Sequence, residues 1–98
     1  MSESEILDIT DATTICRSPS VVAAEEDGEL IMMNLDQSRY FSLDAIGAVI
    51  WGHLEQPLSF AALVDRLADE YEASRSTIVA DLLAFLRRML KEEVIRLA

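Results

Sequence analysis

Hydrophobic and polar positions follow two different periods along this chain. In the N-terminal half they tend to alternate, which is typical of strands, and after Asp44 apolar residues recur every three or four positions, which is typical of helices. Within the first half, two apolar runs flank Asp27-Gly28. Aspartate and glycine tolerate the positive φ angles that a two-residue hairpin turn requires, so the pattern predicts paired strands near residues 20–25 and 29–35.

A third strand is predicted over residues 39–43, RYFSL, after a polar turn at 36–38. Three consecutive strands joined by short turns form an antiparallel meander, so this third strand lies at an edge of the sheet. An edge strand offers unpaired N–H and C=O groups to an extended peptide. The alternative is that the edge is short and blunted by Arg39 and Ser38.

Three helices are predicted after the meander, each preceded by a side chain that can accept a hydrogen bond from the first turn. The first helix ends near residue 55, because Pro57 forbids its continuation, and the third runs to about residue 92. The last residues, VIRL, form a short extended or helical tail. The fold class is therefore α+β, a three-stranded antiparallel sheet followed by three helices in the order βββααα. The predicted caps are Asp44 for the first helix, Ser59 for the second, and Ser74 or Ser76 for the third.

The third predicted helix is apolar over about half of its circumference, which is wider than the stripe of about 100° that one core contact needs. One arc can pack on the first two helices. The adjoining arc faces the sheet or stays open as a groove, unless the domain's own strands and helices fill both arcs. The first arc is Val79, Leu83, Leu86 and Leu90, and the second is Ile78, Leu82, Phe85 and Met89, bordered by Asp81, Arg88 and Glu92.

The amino-acid composition limits the classes of partner that this domain is expected to bind. The chain has 98 residues, with 18 acidic and 8 basic side chains and a net charge of −10, which repels phosphate backbones and anionic lipid. Residues 1–14 are acidic and rich in hydroxyl groups, which predicts a flexible tail before a single domain over 15–98. The N-terminus lacks the features of a signal peptide, and no apolar run is long enough to span a bilayer. We therefore expect a cytoplasmic protein that binds neither nucleic acid nor membrane.

Residue types that carry catalysis or bind metals are scarce. Cys16 is the only cysteine and His53 the only histidine, so neither an intrachain disulfide nor a cysteine zinc cluster can form. His53 is expected to be a satisfied or exposed helical side chain, and Trp51 to be part of the core. We predict a protein without catalytic activity, cofactor or metal. The apolar stripe beside Trp51 is Ile46, Val49, Ile50 and Leu54.

The order and spacing of these motifs resemble the PqqD-like proteins, the RiPP recognition elements of ribosomally made, modified peptides. The resemblance covers roughly residues 15–96, nearly the whole domain. Its most specific part is an aromatic strand end followed by a cap, a small residue and a tryptophan. The matching residues are Tyr40, Phe41, Ser42, Leu43, Asp44, Gly47 and Trp51, then Leu67 and Tyr71, then Val79, Asp81, Leu82, Phe85, Leu86 and Leu90.

The resemblance implies a winged helix-turn-helix-like fold with no activity of its own. It implies that the leader segment of a precursor peptide binds as an added strand against the third predicted strand, with leader side chains between that strand and the third helix. The bound precursor is presented to a processing enzyme. Carried over to this sequence, the peptide contacts would be Arg39, Tyr40, Phe41 and Ser42 on the strand, and Ile78, Asp81, Leu82, Phe85, Arg88 and Met89 on the helix.

The stretch before the aromatic strand separates two branches of this family. Members that serve pyrroloquinoline quinone synthesis tend to carry Leu-x-Pro-Glu there, whereas this chain has MNLDQSRYFSL. Leu35-Asp36 ahead of Tyr40-Phe41 is similar to stand-alone proteins of lasso peptide clusters, which work with a leader-processing cysteine protease and a cyclase. We expect a lasso peptide pathway and a monomer or weak dimer. The alternative is a PqqD-type peptide chaperone of the quinone pathway or of another modified-peptide pathway.

A winged helix can also read DNA, and five of the eight basic residues fall in the third predicted helix and the tail. Acidic Asp81, Glu92 and Glu93 lie among them, and a net charge of −10 offers no broad cationic surface. DNA binding is therefore the weaker alternative. The five basic residues are Arg75, Arg87, Arg88, Lys91 and Arg96.

Overall fold

A computed structural model describes residues 9–98 of the chain. Residues 1–8, which belong to the predicted tail, lie outside the described residues. Within 9–98 the chain forms strands and helices in an order that confirms the predicted α+β class. The elements are β1 (Thr14–Arg17), β2 (Val21–Glu26), β3 (Glu29–Asn34), β4 (Arg39–Leu43), α1 (Ala45–His53), β5 (Leu58–Ser59), α2 (Phe60–Glu70), α3 (Arg75–Lys91) and β6 (Ile95–Leu97).

The predicted meander is the antiparallel sheet β2-β3-β4. The turn between β2 and β3 has positive φ at Asp27 (52°) and Gly28 (82°), as the two-residue hairpin predicts. The register pairs Met32 with Phe41 and Leu30 with Leu43, and this face of the sheet packs on the core. In this sheet β4 pairs with β3 on one side only, so it is the edge strand that the sequence predicts.

A second small sheet, β5-β1-β6, is not predicted from the sequence. Its central strand pairs Ile15 with Leu58 on one side and with Leu97 on the other. The three strands have only two to four residues each, too few to show an alternating pattern. Their pairing joins parts of the chain that lie far apart in sequence. Of the two conformations expected for the C-terminal VIRL, Ile95–Leu97 adopts the extended one.

The described part of the predicted tail contacts the start of α2. Ile9 packs against the core, and the backbone N–H of Phe60 donates to the carbonyl oxygen of Thr13 at 2.8 Å. The N–H of Ala61 donates to the carbonyl of Asp11 at 3.1 Å. The flexibility predicted for residues 1–14 stays a prediction.

The three predicted helix caps are confirmed. Each capping oxygen accepts from a backbone N–H three residues later, which satisfies one of the free donors of the first turn. At the other end, α3 ends at Lys91. Glu93, two residues later, has a φ of 58°, and the N–H of Val94 donates back to the carbonyl of Met89 at 3.1 Å. The capping bonds are Asp44 to Gly47 at 2.8 Å, Ser59 to Ala62 at 3.1 Å, and Ser74 to Thr77 at 3.2 Å.

The core takes up most of both apolar arcs of α3. Leu82 and Met89 from the second arc are as fully buried as Leu86 from the first. Phe85 is the member of the second arc that stays only partly buried. The open surface on α3 is thus smaller than the width of the arc allows. Trp51 lies in the same core with 6% exposure, as expected.

Arg17 of β1 holds the C-terminal part of α1. Its guanidinium lies 4.4 Å from the centroid of the Trp51 ring, and its Nε donates to the Trp51 carbonyl at 3.2 Å. Burial lowers the pKa of the Arg17 guanidinium below its usual value, and the nearby carboxylate of Glu55 partly opposes this. The side chain therefore joins the second sheet to the helix that follows the edge strand.

Arg17→Ala is expected to lower the free energy of unfolding by about 2 kcal/mol, because a cation–π contact and a charged hydrogen bond are lost together. Urea unfolding followed by the fluorescence of Trp51 measures the loss directly. Arg66→Ala removes an exposed arginine from α2 and is the matched control. A loss for Arg17→Ala no greater than that for Arg66→Ala would contradict this role.

Candidate functional site

The candidate site lies where the edge strand β4 passes beside α3. At the start of β4, Arg39 forms an ion pair with Glu92 at the end of α3, with 3.1 Å between Nη2 and Oε2. At the end of β4, Leu43 lies near Phe85, which is about two turns before Glu92 on α3. The helix therefore runs antiparallel to the strand. Among residues 9–98 no other strand pairs with the outer side of β4.

Gly47 sets how closely α1 approaches this strand and helix. A Cβ atom at this position would lie 3.0 Å from Cβ of Leu43 and 3.2 Å from Cε1 of Phe85. Both contacts are tighter than ordinary van der Waals separation, so a larger residue would push on one of these side chains. Glycine here allows the side chains of Phe85 and Leu43 to pack closely against α1.

A cavity of about 490 Å³ lies next to the end of β4, with Asp44 and Phe85 among its lining residues. We call this cavity, together with the surface between β4 and α3, the groove. The walls of the cavity come from α1, from the end of α2 and the segment that joins α2 to α3, and from α3 as far as Phe85. Apolar side chains form most of the lining, and three carboxylates, those of Asp44, Glu72 and Asp81, lie among them. The other lining residues are Ile46, Gly47, Ile50, Leu67, Tyr71, Ala73, Ile78, Leu82 and Phe85.

The structure brings four of the ten predicted contact residues together at this cavity. Ile78 and Leu82 are 7% and 1% exposed and shape its floor, while Phe85 is partly buried and Asp81 is exposed. Arg88 is exposed on α3. Met89 has no exposed surface and contacts only the core in this conformation.

The predicted strand residues divide between the two faces of β4. Phe41 packs against the core beside Leu43, on the face that looks toward α3. Tyr40 is 73% exposed and Ser42 is exposed, on the opposite face. Only Arg39 and Phe41 therefore point toward the groove, and the direct peptide contacts of all ten residues stay predictions.

Sequence reasoning missed the outer wall of the cavity. Ile46 belongs to the predicted apolar stripe of the first helix, yet it is 55% exposed and lines the cavity instead of the core. Tyr71, which matches the family in the sequence, follows the last residue of α2 and is partly buried, with one side on the core and one on the cavity. Their apolar character gives no signal that separates a cavity wall from a core contact.

A polar contact at the far end of α1 helps to fix this wall. His53 Nε2 and Glu70 Oε1 form a hydrogen bond that links the last turns of α1 and α2.

Across residues 9–98, no group of three or more His, Cys, Asp or Glu side chains is placed to hold a metal ion. In the same part of the chain, no helix is both long enough and apolar enough to cross a membrane.

The fold and the site together define a small winged-helix-like domain with a free sheet edge beside an apolar groove. The family model described as coenzyme PQQ synthesis protein D (PqqD) matches residues 29–95. The chain therefore belongs to the PqqD family. No curated relative matches it.

Two solved structures are similar to this chain over most of its length. TbiB1 in complex with the TbiA(beta) leader peptide is 36% identical, with a TM-score of 0.77, and the match covers 83% of this chain and 94% of that one. Lasso peptide synthetase B1 complexed with the leader peptide is 21% identical, with a TM-score of 0.73, and the match covers 84% and 96% of the two chains. The second likeness shows the fold, and the first also supports the family.

Proposed function

We propose that this protein binds the leader segment of a ribosomally made precursor peptide and presents the precursor to a processing enzyme of lasso peptide biosynthesis. The observation that carries the proposal is the free edge of β4 beside the cavity of Phe85. The similar structures of TbiB1 and of lasso peptide synthetase B1 are complexes with leader peptides, which supports the same role here. The protein itself acts as a binding partner and not as an enzyme.

Strand addition fits the physical character of this edge. An added strand takes affinity from main-chain hydrogen bonds to β4, and it takes specificity from every second side chain, which points toward α3. An antiparallel arrangement is slightly more stable per residue than a parallel one and continues the pattern of the sheet. The leader's N-terminal end then lies near the cavity beside Asp44, and its C-terminal end leaves beside Arg39.

The processing enzyme of this proposal is the leader-processing cysteine protease, with the cyclase as a further partner. Leader recognition by a separate domain lets the enzyme act on precursors whose core sequences differ. The protein would then set which precursors reach the enzyme, while the enzyme supplies the chemistry.

Methylation of single backbone nitrogens along the leader is expected to weaken binding with a period of two. A methyl group at a nitrogen that donates to β4 removes one hydrogen bond and blocks close approach, which costs about 1.4 kcal/mol or tenfold in Kd. Methylation at the intervening nitrogens changes Kd less than about twofold. Calorimetry with a series of synthetic leaders measures the pattern. Equal losses at neighbouring positions would contradict strand addition.

The quinone pathway is the second candidate, because the matching family model carries that description. Calorimetry with leaders from a lasso precursor and from a quinone precursor separates the two. We expect micromolar or tighter binding of the lasso leader alone. Tighter binding of the quinone precursor would favour the second candidate.

A further inference from the structure

Three carboxylates from three different parts of the chain line the cavity next to β4. Asp44 caps α1, Glu72 lies in the segment that joins α2 to α3, and Asp81 lies in the second turn of α3. All three residues are exposed, and we call them the acidic rim. Of the described residues that line the cavity, none is a lysine, arginine or histidine. The cavity therefore combines apolar walls with a rim of negative charge.

The folded domain does not neutralise the acidic rim. Asp44 uses one carboxylate oxygen for the cap of α1, and no ion pair to Glu72 or Asp81 forms within residues 9–98. Arg75 is the basic residue nearest to Glu72 in sequence, and it pairs instead with Asp65 at 2.8 Å. The negative charge of the rim is thus left for a ligand to balance.

The two ends of the groove differ in charge. At the end away from the cavity, Glu92 is paired with Arg39 at 3.1 Å, and Arg88 lies one turn before Glu92 on α3. The tip of the β2-β3 hairpin has four carboxylates in residues 25–29, and it lies at the cavity end of the sheet, because the start of β3 pairs with the end of β4. Negative charge is therefore concentrated at the end where the N-terminal part of an antiparallel leader lies.

A lysine or arginine side chain matches both the walls and the rim. Each has a long apolar stem and a charged head. The stem can pack on Ile46, which is 55% exposed on the outer wall, while the head reaches the acidic rim. Phe85, on α3, remains available to an apolar side chain of the same leader. A wholly apolar leader would fit the walls but would leave the carboxylates without a counter-charge, and charge complementarity of this kind mainly decides which partner is chosen.

We propose that the acidic rim selects leaders that carry a lysine or arginine on the N-terminal side of the segment that pairs with β4. This inference rests on the proposed function. It adds a requirement for charge to the recognition of the leader by strand addition. It also favours one direction of binding, because a reversed leader would place its basic residue beside Arg39.

The test exchanges charges between the full-length protein and the synthetic leader of the precursor encoded beside it. Each lysine and arginine of the leader is changed to glutamate in turn, and calorimetry at low salt measures Kd. One of these leaders, changed before the paired segment, should bind the wild type about 20-fold more weakly, because an exposed attraction worth up to about fivefold in Kd becomes a repulsion of similar size. Asp81→Lys should weaken the unmodified leader by about the same factor and should bind the changed leader more tightly than the wild type does.

Glu72→Lys, on the connecting segment, should behave in the same way as Asp81→Lys. The matched control is Asp69→Lys, which makes the same change on the exposed side of α2, outside the cavity, and should keep Kd within about twofold. Circular dichroism checks that all three variants are folded.

Several results would overturn the inference while leader binding itself stands. They are an unchanged Kd in folded Asp81→Lys and Glu72→Lys, an equal loss in Asp69→Lys, and the absence of recovery with every changed leader. Tight binding of a leader that has no lysine or arginine before its paired segment would also overturn it. Failure of the wild type to bind the unmodified leader would instead overturn the proposed function, and this inference with it.

Discussion

Phe85→Asp is expected to weaken leader binding by about 100-fold while the domain stays folded. Phe85 lines the cavity next to the end of β4, and Gly47 leaves the space for its ring. A leader side chain in this place would lose an apolar contact worth about 2 to 3 kcal/mol and meet a carboxylate instead, close to Asp81. Calorimetry with the leader measures the change.

A matched control for Phe85→Asp is available on the same helix. Leu83 is also partly buried and also packs against the core, but it lies on the other flank of α3, outside the groove and the cavity. Leu83→Asp should cost similar stability and change the Kd for the leader less than about threefold. Circular dichroism and urea unfolding establish that both variants are folded under the conditions of the titration. Equal weakening by the two substitutions would show that the loss is a general effect of destabilising α3.

Local chemistry explains which parts of the fold could be predicted from the sequence. The turn at Asp27-Gly28 depends on the φ angles that two adjacent residues can adopt. The helix starts at Asp44 and Ser59 depend on side chains that reach three residues ahead. In these cases the residues that decide the structure are neighbours in sequence.

The second sheet could not be predicted, because its pairing depends on residues that are distant in sequence. Ile15 near the start of the described chain pairs with Leu97 near its end. The strands are also too short for an alternating pattern to form. Their stability comes from the core beneath Ile15 and Ile95, which are almost completely buried, and not from a local preference.

At the candidate site, too, the sequence does not predict which individual apolar residues remain accessible. A helical pattern identifies which residues of α3 are apolar, but it does not say what covers them. Met89 and Phe85 lie on one predicted arc, yet Met89 is fully buried in the core and Phe85 remains open to the groove. The difference in burial between Met89 and Phe85 depends on which neighbouring elements cover each side chain, and tertiary packing decides that.

Asn34 holds the C-terminal end of α3 beside the start of β4, at the end of the site that lies away from Phe85. It is 3% exposed at the end of β3, and its Nδ2 donates to the backbone carbonyls of Glu92 and Glu93, each at 3.2 Å. Its Oδ1 accepts from the N–H of Asp36 at 3.0 Å. The amide thus satisfies carbonyls at the end of α3 that the helix leaves without partners, and it holds this end beside the start of β4.

Asn34→Asp is expected to lower the free energy of unfolding by about 3 kcal/mol at neutral pH, because a buried carboxylate would face two carbonyl oxygens with no hydrogen to donate. Asn34→Ala should cost about 2 kcal/mol, since it removes the two bonds from Nδ2 and also the bond that Oδ1 accepts from Asp36, but it buries no charge. Gln37→Glu makes the same amide-to-carboxylate change on the exposed turn three residues later, and its effect should stay within about 0.5 kcal/mol. Urea unfolding of the three variants measures the series.

Without the Asn34 hydrogen bonds, the end of α3 would separate from β4, so leader affinity should fall with stability in the two Asn34 variants. A fully stable Asn34→Asp protein would mean that the helix end is held by other contacts.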